Sequence, residues 1–173
     1  MTRSIFRRIL VPHDLSKPAD TALRMAAELA EEHGGQLVVL HAVSPIYPFA
    51  DLPYGAQVTI DAGEIARSAQ ASLQTRVAKV LRGSPVPVRC HARLGGAFEQ
   101  IMDAAEDASA IVMSTAGHTG LARLLIGSVT EKIVRHATVP VLTVRPRSRA
   151  RAPRRRSAIA KKRTTSRSRR GAA

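Results

Sequence analysis

The segment from Ala110 to Val134, AIVMSTAGHTGLARLLIGSVTEKIV, contains the pattern from which the fold class of this chain can be predicted. Its first four residues are all apolar, and from Ser128 onward apolar side chains recur at a helical spacing. A short and fully apolar run indicates a strand that is buried on both faces, as in a parallel sheet. The segment therefore predicts a buried strand, a glycine-containing connection and a helix.

The same alternation of strand and helix runs through residues 1–145. Ser16 and Pro18 are residue types that open a helix, and the pair at 34–35, both glycine, ends it. Pro87 interrupts the third apolar run, which favours an edge position for that strand. We predict strands at 5–11, 37–40, 86–92, 110–113 and 139–144, and helices between 16 and 34, 65 and 80, 98 and 105, and 128 and 137. This order indicates an α/β domain with a mainly parallel sheet.

The positive charge of the chain is concentrated at its C-terminal end. The sequence of 173 residues has 27 Lys and Arg against 13 Asp and Glu, a net charge of +14. Twelve of the basic residues and none of the acidic ones lie in 146–173, which leaves a net charge of +2 on 1–145. A segment with so many charges and one large apolar residue, Ile159, cannot fold alone. We therefore predict a domain at 1–145 and a disordered Arg/Lys-rich tail at 146–173.

Several classes of protein are excluded by what the sequence lacks. No stretch approaches the roughly 18 apolar residues of a membrane span, and the apolar run behind the N-terminal arginines is too short for an export signal. The single Cys90 excludes a disulfide framework and a Cys-rich zinc site. The GxSxG, GxxxxGK[ST] and GxGxxG motifs are all missing. We expect a cytoplasmic protein that does not associate with membranes and is not an efficient enzyme.

Two strand ends carry polar and glycine-rich sequence. One is Pro12-His13-Asp14, and the other is 114–120, which leads on to Gly127 and Ser128 at a helix start. In doubly wound sheets, ligands bind beyond the carboxyl ends of the strands. Glycine lets the backbone approach a phosphate closely, and the first N–H groups of a helix attract anions. Asp14 offers an acceptor for ribose hydroxyls or, through water, for a divalent cation.

Some of these residues also have a purely structural interpretation. Ser128 and Glu131 have the spacing of a capping box, in which each side chain bonds the other residue's backbone N–H. The histidines are scattered over different elements, and His118, inside the glycine-rich segment, is the one placed to contact a phosphate oxygen. For the tail, a solvated polyanion-binding segment is the alternative to a nucleic-acid-binding arm.

The glycine-rich segment resembles the nucleotide-binding motif of the universal stress protein family. Gly117 is separated by nine residues from Gly127-Ser128, with TGLAR at 119–123 between them. The surrounding sequence is also similar, from ILVPHD at 9–14 through LHAV at 40–43 and RLG at 93–95 to VTEKIVRHA at 129–137 and VPVL at 139–142. The similarity covers residues 5–145. Ser114 is the departure, because the family's ATP-binding motif begins with glycine.

The resemblance implies a Rossmann-like, doubly wound sheet with strand order 3-2-1-4-5 and helices on both faces. It also implies a homodimer formed through the last strand, Val139–Val144, and a stress-response regulator that binds ATP, with Mg²⁺ or Mn²⁺ held through Asp14 and the phosphates. It implies these nucleotide-binding residues: Pro12, Asp14 and Ala42 at adenine and ribose, and Ser114, Thr115, Ala116, Gly117, His118, Thr119, Gly120, Gly127, Ser128, Val129 and Thr130 at the phosphates. Catalysis is expected to be limited to slow ATP hydrolysis or self-phosphorylation. The alternative is a dimeric scaffold without ATP, whose tail at 146–173 associates with nucleic acid.

Overall fold

The computed structural model describes residues 5–44, 61–115 and 127–145. The tail at 146–173 and the motif residues Ala116, Gly117, His118, Thr119 and Gly120 lie outside these ranges. The strands are β1 (Arg8–Pro12), β2 (Gln36–Val43), β3 (Val88–Leu94), β4 (Ala110–Ser114) and β5 (Val141–Val144). The helices are α1 (Lys17–Glu32), α2 (Ala62–Val80), α3 (Ala97–Ala105) and α4 (Ser128–His136). None of these helices is long and apolar enough to cross a membrane.

The five strands form one parallel sheet in the order β3-β2-β1-β4-β5, which confirms the predicted fold class. β1 lies at the centre, where Leu10 is paired with Val38 of β2 and Ile111 of β4. The chain winds outward from β1 in one direction and later resumes on its other side at β4. The gap between the ends of β1 and β4 is therefore the topological switch point, where such sheets bind ligands.

The two faces of the sheet are covered by different helices. Alternate strand residues such as Ile9 and Val39 pack with α1 and α2, while Leu10 and Leu40 pack with α3 and α4. The near-continuous apolar runs of the inner strands are explained by this arrangement, because both faces of each strand are buried. The predicted placement of helices on both faces is confirmed.

Helix α1 begins and ends where the sequence predicts. The Ser16 side chain accepts a hydrogen bond from the Ala19 N–H at 3.3 Å, and Pro18 occupies the first turn. At the other end, Gly34 has a φ of +63°, a conformation that favours glycine. Gly35 follows it because a Cβ there would overlap the Phe6 carbonyl oxygen. Gly34 and Gly35 thus form the turn that connects α1 to β2.

Several predicted strand boundaries were wrong by two or three residues. The first strand begins at Arg8 instead of Ile5, which is 50% exposed and has no partner in β2. β3 begins after Pro87, whose carbonyl accepts the Leu37 N–H, and β5 begins after Pro140, whose carbonyl accepts the Ile111 N–H. Proline lacks the N–H that would continue the ladder, so each strand starts one residue beyond it. β3 does occupy the predicted edge of the sheet.

Candidate functional site

A cleft of about 330 Å³ opens at the carboxyl ends of β1, β2 and β4. Eight residues of the predicted site line it: Pro12, Asp14, Ala42, Ser114, Gly127, Ser128, Val129 and Thr130. Thr115 is not among its lining residues, and its N–H donates to the Val144 carbonyl at 3.1 Å. Residues far apart in sequence therefore meet at the switch point of the sheet.

The N-terminus of α4 forms one end of the cleft. The first hydrogen bond inside this helix runs from the Glu131 N–H to the Gly127 carbonyl at 2.9 Å. The N–H groups of 128–130 precede it and have no acceptor within the helix. All three of these residues line the cleft. The Gly127 N–H is already used, because it donates to the Thr115 carbonyl at 3.0 Å and so closes the connection that leads to α4.

The capping box that the sequence left open as a structural interpretation is not formed at this helix. The N-cap residue is Gly127, and within 5–44, 61–115 and 127–145 no side chain forms a capping hydrogen bond at this helix. Glu131 instead pairs with Arg135 at 3.0 Å, one turn further along, and Ser128 is exposed at the first helical position. Because the Glu131 carboxylate is directed toward Arg135, it is not bound at the helix start. The amide donors there are therefore not opposed by a capping carboxylate.

Thr130 has a structural bond that the sequence did not indicate. Its side chain is buried, and its hydroxyl donates to the Ser114 carbonyl at 3.0 Å. The contact fastens the first turn of α4 to the last residue of β4. Both Ser128 and Thr130 are predicted to lie at the phosphates. Ser128 is exposed at the cleft, whereas the donor that Thr130 can offer a ligand is its backbone N–H.

The connection after β1 holds Asp14 beside the cleft. Leu15 has a φ of +63° and is the one non-glycine residue with a positive φ in 5–44, 61–115 and 127–145. Its N–H donates to His13 Nδ1 at 3.0 Å, and the Ser16 N–H donates to Asp14 Oδ1 at 3.0 Å. Strained backbone of this kind persists only where surrounding contacts fix it, and it is common at functional sites.

Ala42 presents backbone groups where β1 has ended. The His13 N–H donates to the Leu40 carbonyl at 2.8 Å, and this is the last backbone contact between β1 and β2. Peptide groups two residues apart in a strand point to the same side, so those of Ala42 face the space beyond β1. Among the described residues, none bonds the Ala42 N–H or C=O on that side. The cleft thus has a donor and an acceptor side by side.

Comparison with known proteins agrees with this architecture. The model of the universal stress protein family matches residues 5–145. A universal stress protein of Thermus aquaticus is 32% identical over 148 residues, which cover 82% of this chain and 100% of that protein.

This chain belongs to the universal stress protein family.

Two solved universal stress proteins share the fold. One, from Archaeoglobus fulgidus in complex with dAMP, has 26% identity and a TM-score of 0.56, covering 81% of this chain and 98% of the other. Another, in complex with cAMP, has 18% identity and a TM-score of 0.60, covering 82% and 98%.

Ser114 replaces the glycine that begins the ATP-binding motif in this family. It is the last residue of β4, is buried, and does not have a positive φ. The backbone at this position is therefore accessible to any residue. The difference from the family pattern introduces no backbone strain at the mouth of the cleft.

The apolar part of the cleft was not predicted as a site. Leu40 and Met113 come from strands and Ile101 from α3, and all three are buried. Met113 directly precedes Ser114, and Leu40 lies two residues before Ala42, so their proximity in sequence to predicted site residues is a signal that could have identified them. Ile101 could not be placed, because the position of α3 over the sheet depends on tertiary packing. Together they form a surface on which a flat apolar group can pack.

Proposed function

We propose that this cleft binds an adenine nucleotide, with ATP and a divalent cation as the ligand, and that occupancy regulates the protein in a stress response. The observation that carries the proposal is the meeting of three kinds of group in one cleft. Ala42 offers a backbone donor and acceptor, Asp14 a carboxylate, and the start of α4 a set of N–H donors.

The base-binding end is suited to adenine. The Ala42 carbonyl can accept from the exocyclic amine of adenine, while the Ala42 N–H donates to the ring nitrogen beside it. Leu40, Ile101 and Met113 supply an apolar surface for the ring. Pockets for small molecules commonly combine such a surface with a few placed polar groups. This arrangement favours adenine over hypoxanthine, whose corresponding groups have the opposite donor and acceptor order.

The other end is suited to phosphate. No lysine or arginine lies among the lining residues of 5–44, 61–115 and 127–145, so the amides of 128–130 and the helix dipole would face the negative charge. Mg²⁺ is often bound by one or two carboxylates together with substrate phosphates. Asp14 fits that pattern as a single carboxylate, and no group of three potential metal ligands occurs in the described ranges. A cation would therefore depend on the nucleotide for most of its ligands.

Two solved relatives support an adenine nucleotide as the ligand. Universal stress proteins have been solved in complex with dAMP and with cAMP, and both ligands carry adenine. We propose a binding role in preference to efficient catalysis because the cleft offers mainly backbone groups and apolar side chains.

Calorimetry with ATP and ITP in the presence of Mg²⁺ tests the proposal. The two nucleotides differ only at the edge of the base, so phosphate and metal contacts are matched. We expect ITP to bind at least about tenfold more weakly, since both bonds to Ala42 would be lost and its backbone groups left unpaired. Equal affinity would contradict the assignment of the base to Ala42. Absence of heat at millimolar ATP would contradict nucleotide binding.

As a second candidate function, we propose that the tail at 146–173 binds nucleic acid. Its ten Arg and two Lys, without any acidic or aromatic residue, favour contact with phosphates over stacking on bases. The affinity of the full chain for duplex DNA should fall steeply with salt and be lost in a chain ending at Arg145. Binding that is insensitive to salt, or that survives the truncation, would contradict this candidate.

A further inference from the structure

The last strand of the sheet ends beside the start of α4. Val144 of β5 is paired with Ser114 of β4, and its carbonyl accepts the Thr115 N–H at 3.1 Å. The Thr115 carbonyl in turn accepts the Gly127 N–H at 3.0 Å. One residue, Thr115, therefore lies between the end of β5 and the N-cap of α4, at the edge of the sheet where the cleft opens.

The chain leaves the sheet at Arg145, which is exposed and directly follows β5. Every second residue after it is also arginine, as far as Arg151. The six residues after Arg145 can span at most about 20 Å, and neighbouring strands are about 4.8 Å apart. Arg147, Arg149 and Arg151 are therefore all attached within reach of the first turn of α4.

The phosphate end of the cleft lacks cations of its own among the residues that the structure describes. The described lining includes Asp14 but neither lysine nor arginine. Two basic residues of α4 are engaged elsewhere, since Lys132 Nζ lies 5.9 Å from the centre of the Phe98 ring and Arg135 forms an ion pair within the helix. A triphosphate keeps net negative charge even with one Mg²⁺ bound. Cations from another part of the chain would therefore stabilise it.

We propose that Arg145, Arg147, Arg149 and Arg151 bind the phosphate chain of the nucleotide and make the cleft selective for polyphosphates. The preferred ligands are nucleoside di- and triphosphates, and a monophosphate binds less tightly. The inference rests on the proposed function, because it concerns the same cleft. It adds a set of binding residues and an order of preference among adenine nucleotides.

The position of these arginines in the tail distinguishes them from its other basic residues. Guanidinium groups donate paired hydrogen bonds to phosphate oxygens. A group attached close to its partner acts at a high effective concentration, which falls as the intervening chain lengthens. Lys161 follows Arg145 by sixteen residues. Basic residues that far along the tail should contribute little, and exposed charges are screened beyond about 8 Å at physiological salt.

Two variants compare the near and far parts of the tail. The near variant combines Arg147→Gln, Arg149→Gln and Arg151→Gln. The far variant combines Lys161→Gln, Lys162→Gln and Arg163→Gln. Each removes three positive charges and leaves residues 1–145 unchanged, so the two variants are matched in net charge and in the sequence of the domain.

Calorimetry with ATP, AMP and adenosine in the presence of Mg²⁺ measures which part of the ligand the tail contacts. We expect the near variant to bind ATP about tenfold more weakly than the natural chain, as for the loss of three exposed ion pairs. Its affinity for AMP should fall by less, and its affinity for adenosine should not change. The far variant should follow the natural chain. High salt should reduce the difference between the near variant and the natural chain, because it screens exposed charges.

The outcomes separate this inference from the proposed function. Equal ATP affinity in the near variant and the natural chain would overturn the inference, as would equal losses in the near and far variants. An equal loss for adenosine would also overturn it, because adenosine has no phosphate. If the natural chain binds none of the three ligands, the proposed function fails as well. Binding of adenosine, with no effect of the near variant on ATP, overturns this inference alone.

Limited proteolysis of the natural chain provides a readout other than affinity. Trypsin cleaves after arginine and lysine, so bound ATP should slow the initial cleavage after Arg147, Arg149 and Arg151. Cleavage after Lys162 and Arg163 is the internal reference, and mass spectrometry of the fragments measures both rates. Adenosine should not protect either region. Cleavage near β5 that ATP leaves unchanged, or slows no more than at the reference sites, would overturn the inference.

Discussion

Gly127 is a glycine that packing among the described residues does not require. Its φ of −58° and ψ of 145° are accessible to any residue. A Cβ there would meet the Thr115 carbonyl oxygen at 3.7 Å and Thr130 Oγ1 at 3.8 Å, which are ordinary contacts. Gly35 is the opposite case, because a Cβ at that position would overlap backbone. A glycine without a structural need, at the start of a helix that lines a cleft, fits close approach by a ligand.

Gly127→Ala should therefore separate binding from stability. We expect a free energy of unfolding within about 1 kcal/mol of the natural chain, because alanine is a poorer N-cap but restricts the unfolded backbone. The affinity for ATP should fall by about tenfold or more if phosphate lies against this backbone. Gly34→Ala is the control: its positive φ costs about 1–2 kcal/mol, with no effect on affinity. Denaturant titration and calorimetry measure both quantities, and unchanged affinity in Gly127→Ala would contradict the phosphate position.

At the scale of elements, periodicity predicted which segments form strands and helices but not how far each extends. β2 runs to Val43, three residues beyond Leu40, the partner of Pro12 in β1. The exposed backbone of Ala42 arises from that difference in length, which depends on pairing with β3. The capping box did not form because a different local pair did. Glu131 pairs with Arg135 one turn along the same helix, and the N-cap is Gly127.

Helices α1 and α2 are joined by the Asp20–Arg76 pair, and its loss should affect the cleft. Arg76 is one of the groups that lower the pKa of His13, so Arg76→Met should raise that pKa. We also expect a loss of about 1–3 kcal/mol in stability at neutral pH, since Asp20 is 7% exposed and would keep no guanidinium partner.

Arg67→Met is the matched control for this prediction. Arg67 lies on the same helix and pairs with Asp61 at 3.5 Å, but both side chains are more than half exposed. Exposed pairs of this kind contribute about 0–1 kcal/mol. Titration of the His13 ring by NMR, with denaturant unfolding at neutral pH, compares the two variants. If Arg67→Met raised the pKa of His13 as much as Arg76→Met, the local electrostatic explanation would be contradicted.

For the molecule as a whole, the two edges of the sheet differ in whether their outward backbone groups are hydrogen-bonded by a side chain. At the β3 edge, the Gln70 side chain donates to the Cys90 carbonyl at 2.8 Å and accepts the Ala92 N–H at 2.6 Å. It occupies the groups to which another strand would bind. Within 5–44, 61–115 and 127–145, no side chain bonds the outward backbone groups of β5 in this way. Leu142 of β5 is 40% exposed. We propose that β5 pairs with a second copy of the chain, within the predicted dimer region Val139–Val144.

Thr143→Pro tests this assembly without breaking the sheet. The Val144 carbonyl accepts the Thr115 N–H, so the backbone groups of Val144 point toward β4. Backbone groups of successive strand residues point to opposite sides, so those of Thr143 point to the free edge of the sheet. Proline removes an outward N–H there and is tolerated on edge strands. We expect sedimentation to give twice the chain mass for the natural protein and for Thr143→Val, and the mass of one chain for Thr143→Pro. Cooperative unfolding of Thr143→Pro shows that its fold is intact. A dimeric Thr143→Pro would place the contact elsewhere, because pairing through β5 needs the donor that proline removes.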